Sequence, residues 1–383
     1  MDEVARNGPA AAVRLVEAAV DQQVVSAAVL AVGRGAGDTG SMYVFGRTRL
    51  DAEGSPVAAD TLFDLASLTK VVATTPAVLR LADAGELGLD DPVAHYLPSY
   101  AAGEKAQVTL RHLLTHSSGL PPHRAFHELP GPIEQRLAAV AEEPLIAKPG
   151  TQVVYSDIGF ILLGEVVAKA AGAGLDRAVR ELVFDPLGLA STGYLPAAPP
   201  ERFAATEIRP ETGEPVIGTV HDENAAALGG VAGHAGVFGT AGDLVRYLRV
   251  GWLDQDCTFL SERGRTAALA CGTEGLDGRR GLGWTLAGDR WDHMTAAWPP
   301  TRAGHTGFTG TSLAFDPAGG LWTVLLTNAV HLGRDHGGIA LLRRTVHAAV
   351  AAWSEACEPP GAPDGERPRA AAGYDQPVRI QGD

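Results

Sequence analysis

Strand-like patterns lie near both ends of this chain, and a long helix-patterned stretch lies between them. Residues 24–34 (VVSAAVLAVGR) and 41–49 (SMYVFGRTR) read as strands joined by the turn-rich 35–40. Residues 281–287, 304–315 and 320–328 read as strands again. Helical periodicity fills 9–23, 67–84, 108–115, 133–142, 158–171, 175–184 and 337–353, with Pro76 expected to kink the second of these. Such an order predicts an α+β protein, in which an antiparallel β-sheet built from the two ends is flanked by helices and carries a helical insertion domain. The expected boundaries are 1–66 and 236–353 for the sheet domain, and 67–235 for a mostly helical domain with active-site loops. The stretch 195–240 has little periodicity and many glycines, and a loop of that length is usually functional. The tail 358–383, rich in Pro, Gly and charge, reads as disordered.

A net charge of −14 leaves no basic surplus to neutralise phosphates, which argues against a nucleic-acid partner. No run of eighteen apolar residues is present, so no membrane span is expected. The acidic N-terminus is followed by a stretch containing Arg14 and Glu17, which suits an amphipathic helix better than a secretory signal. The cysteines Cys257, Cys271 and Cys357 are odd in number and form no Cys-x-x-Cys, so the expectation is a reducing, cytoplasmic setting without a zinc site.

Chemistry enters at Ser67-Leu68-Thr69-Lys70. The chain has four lysines, and only Lys70 has a serine three positions earlier. At a helix start that spacing sets both side chains on one face, where free first-turn N–H groups and the helix dipole favour developing negative charge. It suits a serine nucleophile beside a proton-handling amine, although a solvated helix start with Ser67 as its cap would look the same. Tyr155, in Tyr155-Ser156-Asp157, sits at a predicted strand-to-helix junction, where a phenol beside an ammonium group can act as a base. A core tyrosine followed by Asp157 as a helix N-cap is the plainer reading. Gly304-His305-Thr306-Gly307-Phe308 is a glycine-rich strand that either lets a ligand approach and offers an N–H to an oxyanion, or merely holds a bulge.

In this order the three pieces resemble the serine β-lactamase and penicillin-binding-protein superfamily, and most of all the class C β-lactamases with their esterase, D-amino-peptidase and transacylase relatives. The framework segments Leu87–Pro98, Leu113–Pro121 and Tyr155–Gly164 carry the same likeness, which spans residues 20–353. The resemblance implies Ser67 as the acylated nucleophile, with Lys70 and Tyr155 moving its proton. It implies an oxyanion hole from the backbone N–H groups of Ser67 and Phe308, and a substrate wall from His305, Thr306 and Gly307. His221 and Asp222 would shape the rim or merely hold their loop, and the aromatic loop from Trp291 to Trp298 would cover the acyl pocket or merely pack the surface. It implies no cofactor and no metal.

Two departures bear on substrate. The family usually has Asn where this chain has Asp157; an ionised Asp can only accept hydrogen bonds, and would either bind acyl-amides differently or pair with Lys70 and keep it charged. His305 stands where many relatives have Lys, so anion recognition should be weaker. The expectation is therefore a serine acyl-enzyme hydrolase or transacylase. Its substrates would be a small ester or amide acyl donor with water, an amine or an alcohol as acceptor. β-Lactamase or D-amino-peptidase activity is the alternative within the class, and a catalytically silent binding or sensor module on the same fold is the alternative outside it.

Overall fold

The computed structural model describes residues 9–209, 212–334 and 337–356; the predicted disordered tail 358–383 lies outside them. Helix α1 (Ala10–Asp21) leads into strands β1 (Ala27–Arg34) and β2 (Ser41–Gly46). The short β3 (Phe63–Asp64) precedes α2 (Thr75–Asp83) and α3 (Leu110–Leu114). Helix α4 (Asp157–Ala171), β4 (Gly193–Tyr194), β5 (Val237–Gly239) and α5 (Ala241–Leu248) follow. Strands β6 (Thr285–Leu286), β7 (Ala303–Thr306), β8 (Ser312–Phe315) and β9 (Leu321–Thr327) lead to the last helix, α6 (Ile339–Ala356).

The main sheet runs β2-β1-β9-β8-β7-β6, antiparallel throughout. Its two ends come from opposite ends of the chain, as the α+β reading predicts. The central pairing sets Val29 against Leu326 and Ala31 against Val324. Both strands are buried along almost their whole length because helices cover both faces, which is why they read as continuous apolar runs rather than alternating ones. On one face α1 and α6 pack through Val16, Val346 and Val350 onto Leu30 and Leu325. On the other, Val29, Val324 and Leu326 join a larger core that extends through Trp252, Trp284 and Phe315 into the helical region. A second, small sheet has the order β3-β5-β4. No single described helix is long and apolar enough to cross a membrane.

Three local readings change. The predicted helix 67–84 is three pieces: a 3-10 turn at Ala66–Leu68, a π-turn at Lys70–Thr74, and then α2. Pro76 is the second residue of α2, directly after the π-turn, and the Tyr247 hydroxyl takes the Val71 carbonyl, the acceptor five residues before the proline's missing N–H. Residues 304–315 form not one strand but the β7–β8 hairpin, with the glycine-rich turn between. The predicted strand 281–287 shrinks to the two residues of β6.

Candidate active site

Ser67 sits on the turn between β3 and α2, and the backbone there is bent to present it. Ala66 is held at φ +47°, a left-handed conformation that costs a non-glycine residue roughly 1–2 kcal/mol. The turn is held by Asp64, which is almost fully buried. Its Oδ1 accepts from the Ala66 N–H (2.8 Å) and its Oδ2 from the His221 N–H (2.7 Å), while its carbonyl accepts from the Thr309 hydroxyl (2.7 Å). One aspartate thus ties together the Ser67 turn, the 221 loop and the β7–β8 turn. Burial pushes its carboxyl up, against the pull of those N–H groups. The sequence reading did not single out Asp64; its one local signal is an Asp two residues before a turn, which is common.

Lys70 lies beneath Ser67 with no exposed side-chain surface. Its ammonium donates to Ser67 Oγ (3.0 Å) and to the carbonyl of His234 (3.2 Å), and pairs with Asp157 Oδ1 at 2.8 Å. Burial works to strip its proton, but the Asp157 carboxylate and the Tyr155 phenol outweigh burial, and the net direction is up. Of the two roles open to Asp157, the structure realises the pairing with Lys70. The N-cap of α4 is instead Ser156, whose Oγ accepts from the Gly159 N–H (3.2 Å).

Tyr155 and Ser67 line the same cavity, of about 400 Å³. The Tyr155 ring centroid lies 4.9 Å from Lys70 Nζ and 5.9 Å from the Arg280 guanidinium carbon. Arg280 is buried, donates to Thr285 Oγ1 (2.8 Å) and pairs with the buried Asp289 (3.1 Å). It reads in sequence as an ordinary loop arginine, and only the fold brings it to the tyrosine.

Strand β7 forms the opposite wall. Gly307 approaches the nucleophile turn so closely that a Cβ there would lie 2.2 Å from Thr311 Oγ1 and 2.5 Å from the Leu65 carbonyl, so glycine is required for this contact. The Gly307 N–H is taken by the Thr311 carbonyl. The backbone N–H groups of Ser67 and Phe308 have no hydrogen-bond partner among the described residues. His305 Nδ1 donates to the Thr306 carbonyl (2.8 Å), leaving a buried Nε2 lone pair with no partner among the described residues. Burial and the nearby Lys70 and Arg280 cations push His305 well below its ordinary pKa, so it is a neutral acceptor rather than an anion binder.

His221 does not line this cavity. It stacks behind Phe308 (centroids 5.7 Å apart, planes at 24°) and its Nε2 meets Glu207 at 3.0 Å. Asp222 caps the short helix that starts at Glu223 and meets His234 Nε2 at 2.8 Å. Of the aromatic loop, Trp291 lines the cavity and is 62% exposed, whereas Met294 and Trp298 turn inward to the core beneath α6. Arg343, on α6, also lines the cavity. It donates to the carbonyls of Gly307 and Thr311, and no carboxylate pairs with it among the described residues. Among the described residues no cluster of three His, Cys, Asp or Glu side chains could hold a metal.

A buried ammonium at hydrogen-bond distance from a serine hydroxyl, with a phenol beside it and, among the described residues, two unpaired N–H groups on residues that line one cavity, can support acyl transfer through a serine ester. Comparison with known proteins agrees. The family model described as Beta-lactamase matches residues 12–348. The chain is 35% identical over 314 residues (72% of this chain, 71% of the relative) to a "Putative D-alanyl-D-alanine carboxypeptidase" of Escherichia coli strain K12. It is 34% identical over 311 residues (71% and 68%) to an N-acetylmuramyl-L-alanine amidase of Bacillus subtilis strain 168. Among solved structures, EstCE1, a hydrolase with promiscuous acyltransferase activity, shares the fold at a TM-score of 0.72 and 24% identity, covering 91% of this chain and 100% of that one.

Proposed function

We infer a particular reaction course from the premise that this chain belongs to the Beta-lactamase family and is a serine hydrolase of that type. The reaction is acyl transfer from a small ester or amide to Ser67, and then to water or to an amine or alcohol. The observation that carries this reading is the buried Lys70 ammonium, held between Ser67 Oγ at 3.0 Å and Asp157 at 2.8 Å.

Because Lys70 stays charged, it orients the Ser67 oxygen and stabilises the negative charge that develops there, and Tyr155 acts as the base. The Ser67 hydroxyl proton passes to the Tyr155 oxygen, which enters this step as the phenolate beside the Lys70 ammonium, as Oγ bonds to the acyl carbon. The charge on the carbonyl oxygen is received by the N–H groups of Ser67 and Phe308. As the bond to the leaving group breaks, Tyr155 returns the proton to it. In the second half Tyr155 takes a proton from water or the acceptor, which bonds to the acyl carbon, and the proton ends on Ser67. Base catalysis of this kind contributes about 10²–10⁴-fold, and each oxyanion donor about 10²–10³-fold.

The test uses p-nitrophenyl acetate with the intact enzyme. A mass increase of one acetyl group on the peptide containing Ser67, lost in Ser67→Ala together with turnover, supports the reading; full turnover by Ser67→Ala overturns it. Product ratios with added amines or alcohols separate transfer from hydrolysis.

One observation favours a second reading on the same chemistry. Arg343 lines the cavity, and among the described residues its guanidinium has only backbone carbonyls as partners. It supports a substrate bearing a carboxylate, as in peptidase chemistry, and offsets the weak anion recognition expected of His305. If so, Arg343→Met raises KM for an N-acyl-D-amino-acid substrate at least tenfold while leaving p-nitrophenyl acetate turnover within about twofold, a difference of about 1.4 kcal/mol or more in binding. Equal effects on both substrates refute it.

A further inference from the structure

We propose that His116 is a positioning residue that holds the base Tyr155 in register with Ser67 and Lys70 by clamping the backbone on both sides of it.

His116 belongs to the loop after α3, whose sequence Thr115-His116-Ser117-Ser118-Gly119 ends in Leu120-Pro121-Pro122. The loop cradles the segment that carries Tyr155. The His116 carbonyl accepts from the Val154 N–H (2.8 Å), and its Nδ1 accepts from the Ser156 N–H (3.1 Å). These are the residues immediately before and after Tyr155. Further on, Ser156 Oγ donates to the Pro121 carbonyl (2.7 Å) and the Asp157 N–H to that of Pro122 (2.9 Å). Among these contacts the imidazole is the one side chain that the loop contributes. Its ring also packs on the Tyr155 ring, with centroids 4.4 Å apart, and on Phe160 at 5.1 Å.

Three features set His116 apart from an ordinary core histidine. Its backbone is held at φ +57°, a conformation that non-glycine residues other than Asn, Asp and His seldom adopt. It is almost fully buried, and its Nε2 has no partner among the described residues. A carbon side chain of similar size would avoid burying that nitrogen but could not accept the Ser156 N–H. The histidine is also kept neutral, pushed well below its ordinary pKa by burial and by the Arg280 and Lys70 cations. A neutral ring with Nδ1 as acceptor carries its proton on Nε2, which is the tautomer the clamp requires.

The clamp matters because the phenol has to act on one side of a packed ammonium. Tyr155 stands on an irregular segment just before α4, with no sheet ladder to fix it. A displacement of about 1 Å in such a group can cost on the order of 10²-fold in rate.

The proposal rests on Tyr155 as the base, and the experiment separates the two ideas. The rate of Ser67 acylation is read as the p-nitrophenol burst from p-nitrophenyl acetate, and apparent substrate binding from its concentration dependence. His116→Ala is expected to slow acylation by about 10²-fold with binding changed less than about threefold. His116→Asn is expected to recover most of the loss, because its Oδ1 takes the place of Nδ1 and Asn tolerates the left-handed backbone. In a Tyr155→Phe background His116→Ala should add less than about twofold, since the two act as one unit. A full further loss in that background, or unchanged acylation in His116→Ala, overturns the clamp. Unchanged acylation in Tyr155→Phe alone overturns the underlying reading instead. If His116→Ala does not fold, His116→Asn is compared with His116→Gln, whose acceptor sits one bond too far; equal rates in these two folded variants overturn the proposal.

Discussion

Replacing Asp157 by Asn tests which group holds the proton at the site. The 2.8 Å separation from Lys70 gives an attraction of about 6 kcal/mol at an effective dielectric of 20. Stripping water from a buried ammonium costs several kcal/mol, so the pair roughly breaks even and Lys70 keeps its charge. With Asn at 157 the Lys70 ammonium retains Ser67 Oγ, the His234 carbonyl and Tyr155, and burial, which already works to lower its pKa, is no longer opposed by the carboxylate. If it stayed charged the variant would be destabilised by about 3–5 kcal/mol; releasing the proton avoids part of that. The wild-type lysine has a raised pKa. Its stabilising contribution is therefore fully present below the ordinary lysine value of about 10.4 and is lost only as pH rises through the higher folded value. Between pH 6 and 9.5 the wild-type kcat/KM for p-nitrophenyl acetate should show no alkaline fall from Lys70. In Asp157→Asn that fall should move into the window, because a neutral amine no longer stabilises the charge on Tyr155 and Ser67. A variant whose activity at pH 9 relative to pH 7 equals the wild-type ratio, or rises above it, would refute the argument that a charged Lys70 leaves the base role to Tyr155.

Acid should unfold this protein early. His116, His293, His305 and His347 are buried and held below their ordinary pKa by burial first and nearby cations second, with His293 at about 3. The unfolded chain then binds more protons than the folded one below pH 6.5, so stability falls as pH drops. At pH 5.5 each histidine forfeits about 1.4 kcal/mol, and urea unfolding between pH 7.5 and 5.5 should show a loss of that order multiplied across the four; a flat profile would count against their buried, neutral state. Asp289→Asn should strand the Arg280 cation and reduce stability by about 3–5 kcal/mol, measured by the same titration, whereas a loss under 1 kcal/mol would mean that Arg280 finds solvent. Trp291→Ala should raise KM several-fold for esters with long or aromatic acyl chains and leave p-nitrophenyl acetate unchanged, because Trp291 touches the cavity only at its mouth; identical KM shifts for both esters would remove it from substrate recognition.

Much of the candidate site was legible because its pieces are short. Ser67 and Lys70 are three residues apart, and a helical turn brings them together whatever follows. Tyr155 and the His305–Phe308 run were visible as a junction and a glycine-rich strand, and the α+β order followed from where the periodicities change. The break of the nucleophile helix into a 3-10 turn, a π-turn and α2 was not visible, since all three share nearly the same apolar spacing. Arg280 and Arg343 carried no local signal, Asp64 only a common one, and His116 only its place in the Leu113–Pro121 segment, because each gains its role from a partner far along the chain.

The sequence by itself determined the kind of chemistry: a serine and a lysine on one face, a tyrosine at a junction with an Asp two residues on, and a His in a glycine-rich strand. Tertiary structure decided how that chemistry is set. Residue 157 meets the buried residue 70 in an ion pair, Asp64 joins residues 66, 221 and 309, and His116 closes on both sides of Tyr155. Local periodicity reports which face of an element is apolar. Protonation depends on burial and on the nearest opposite charge, and both are set only when distant segments pack.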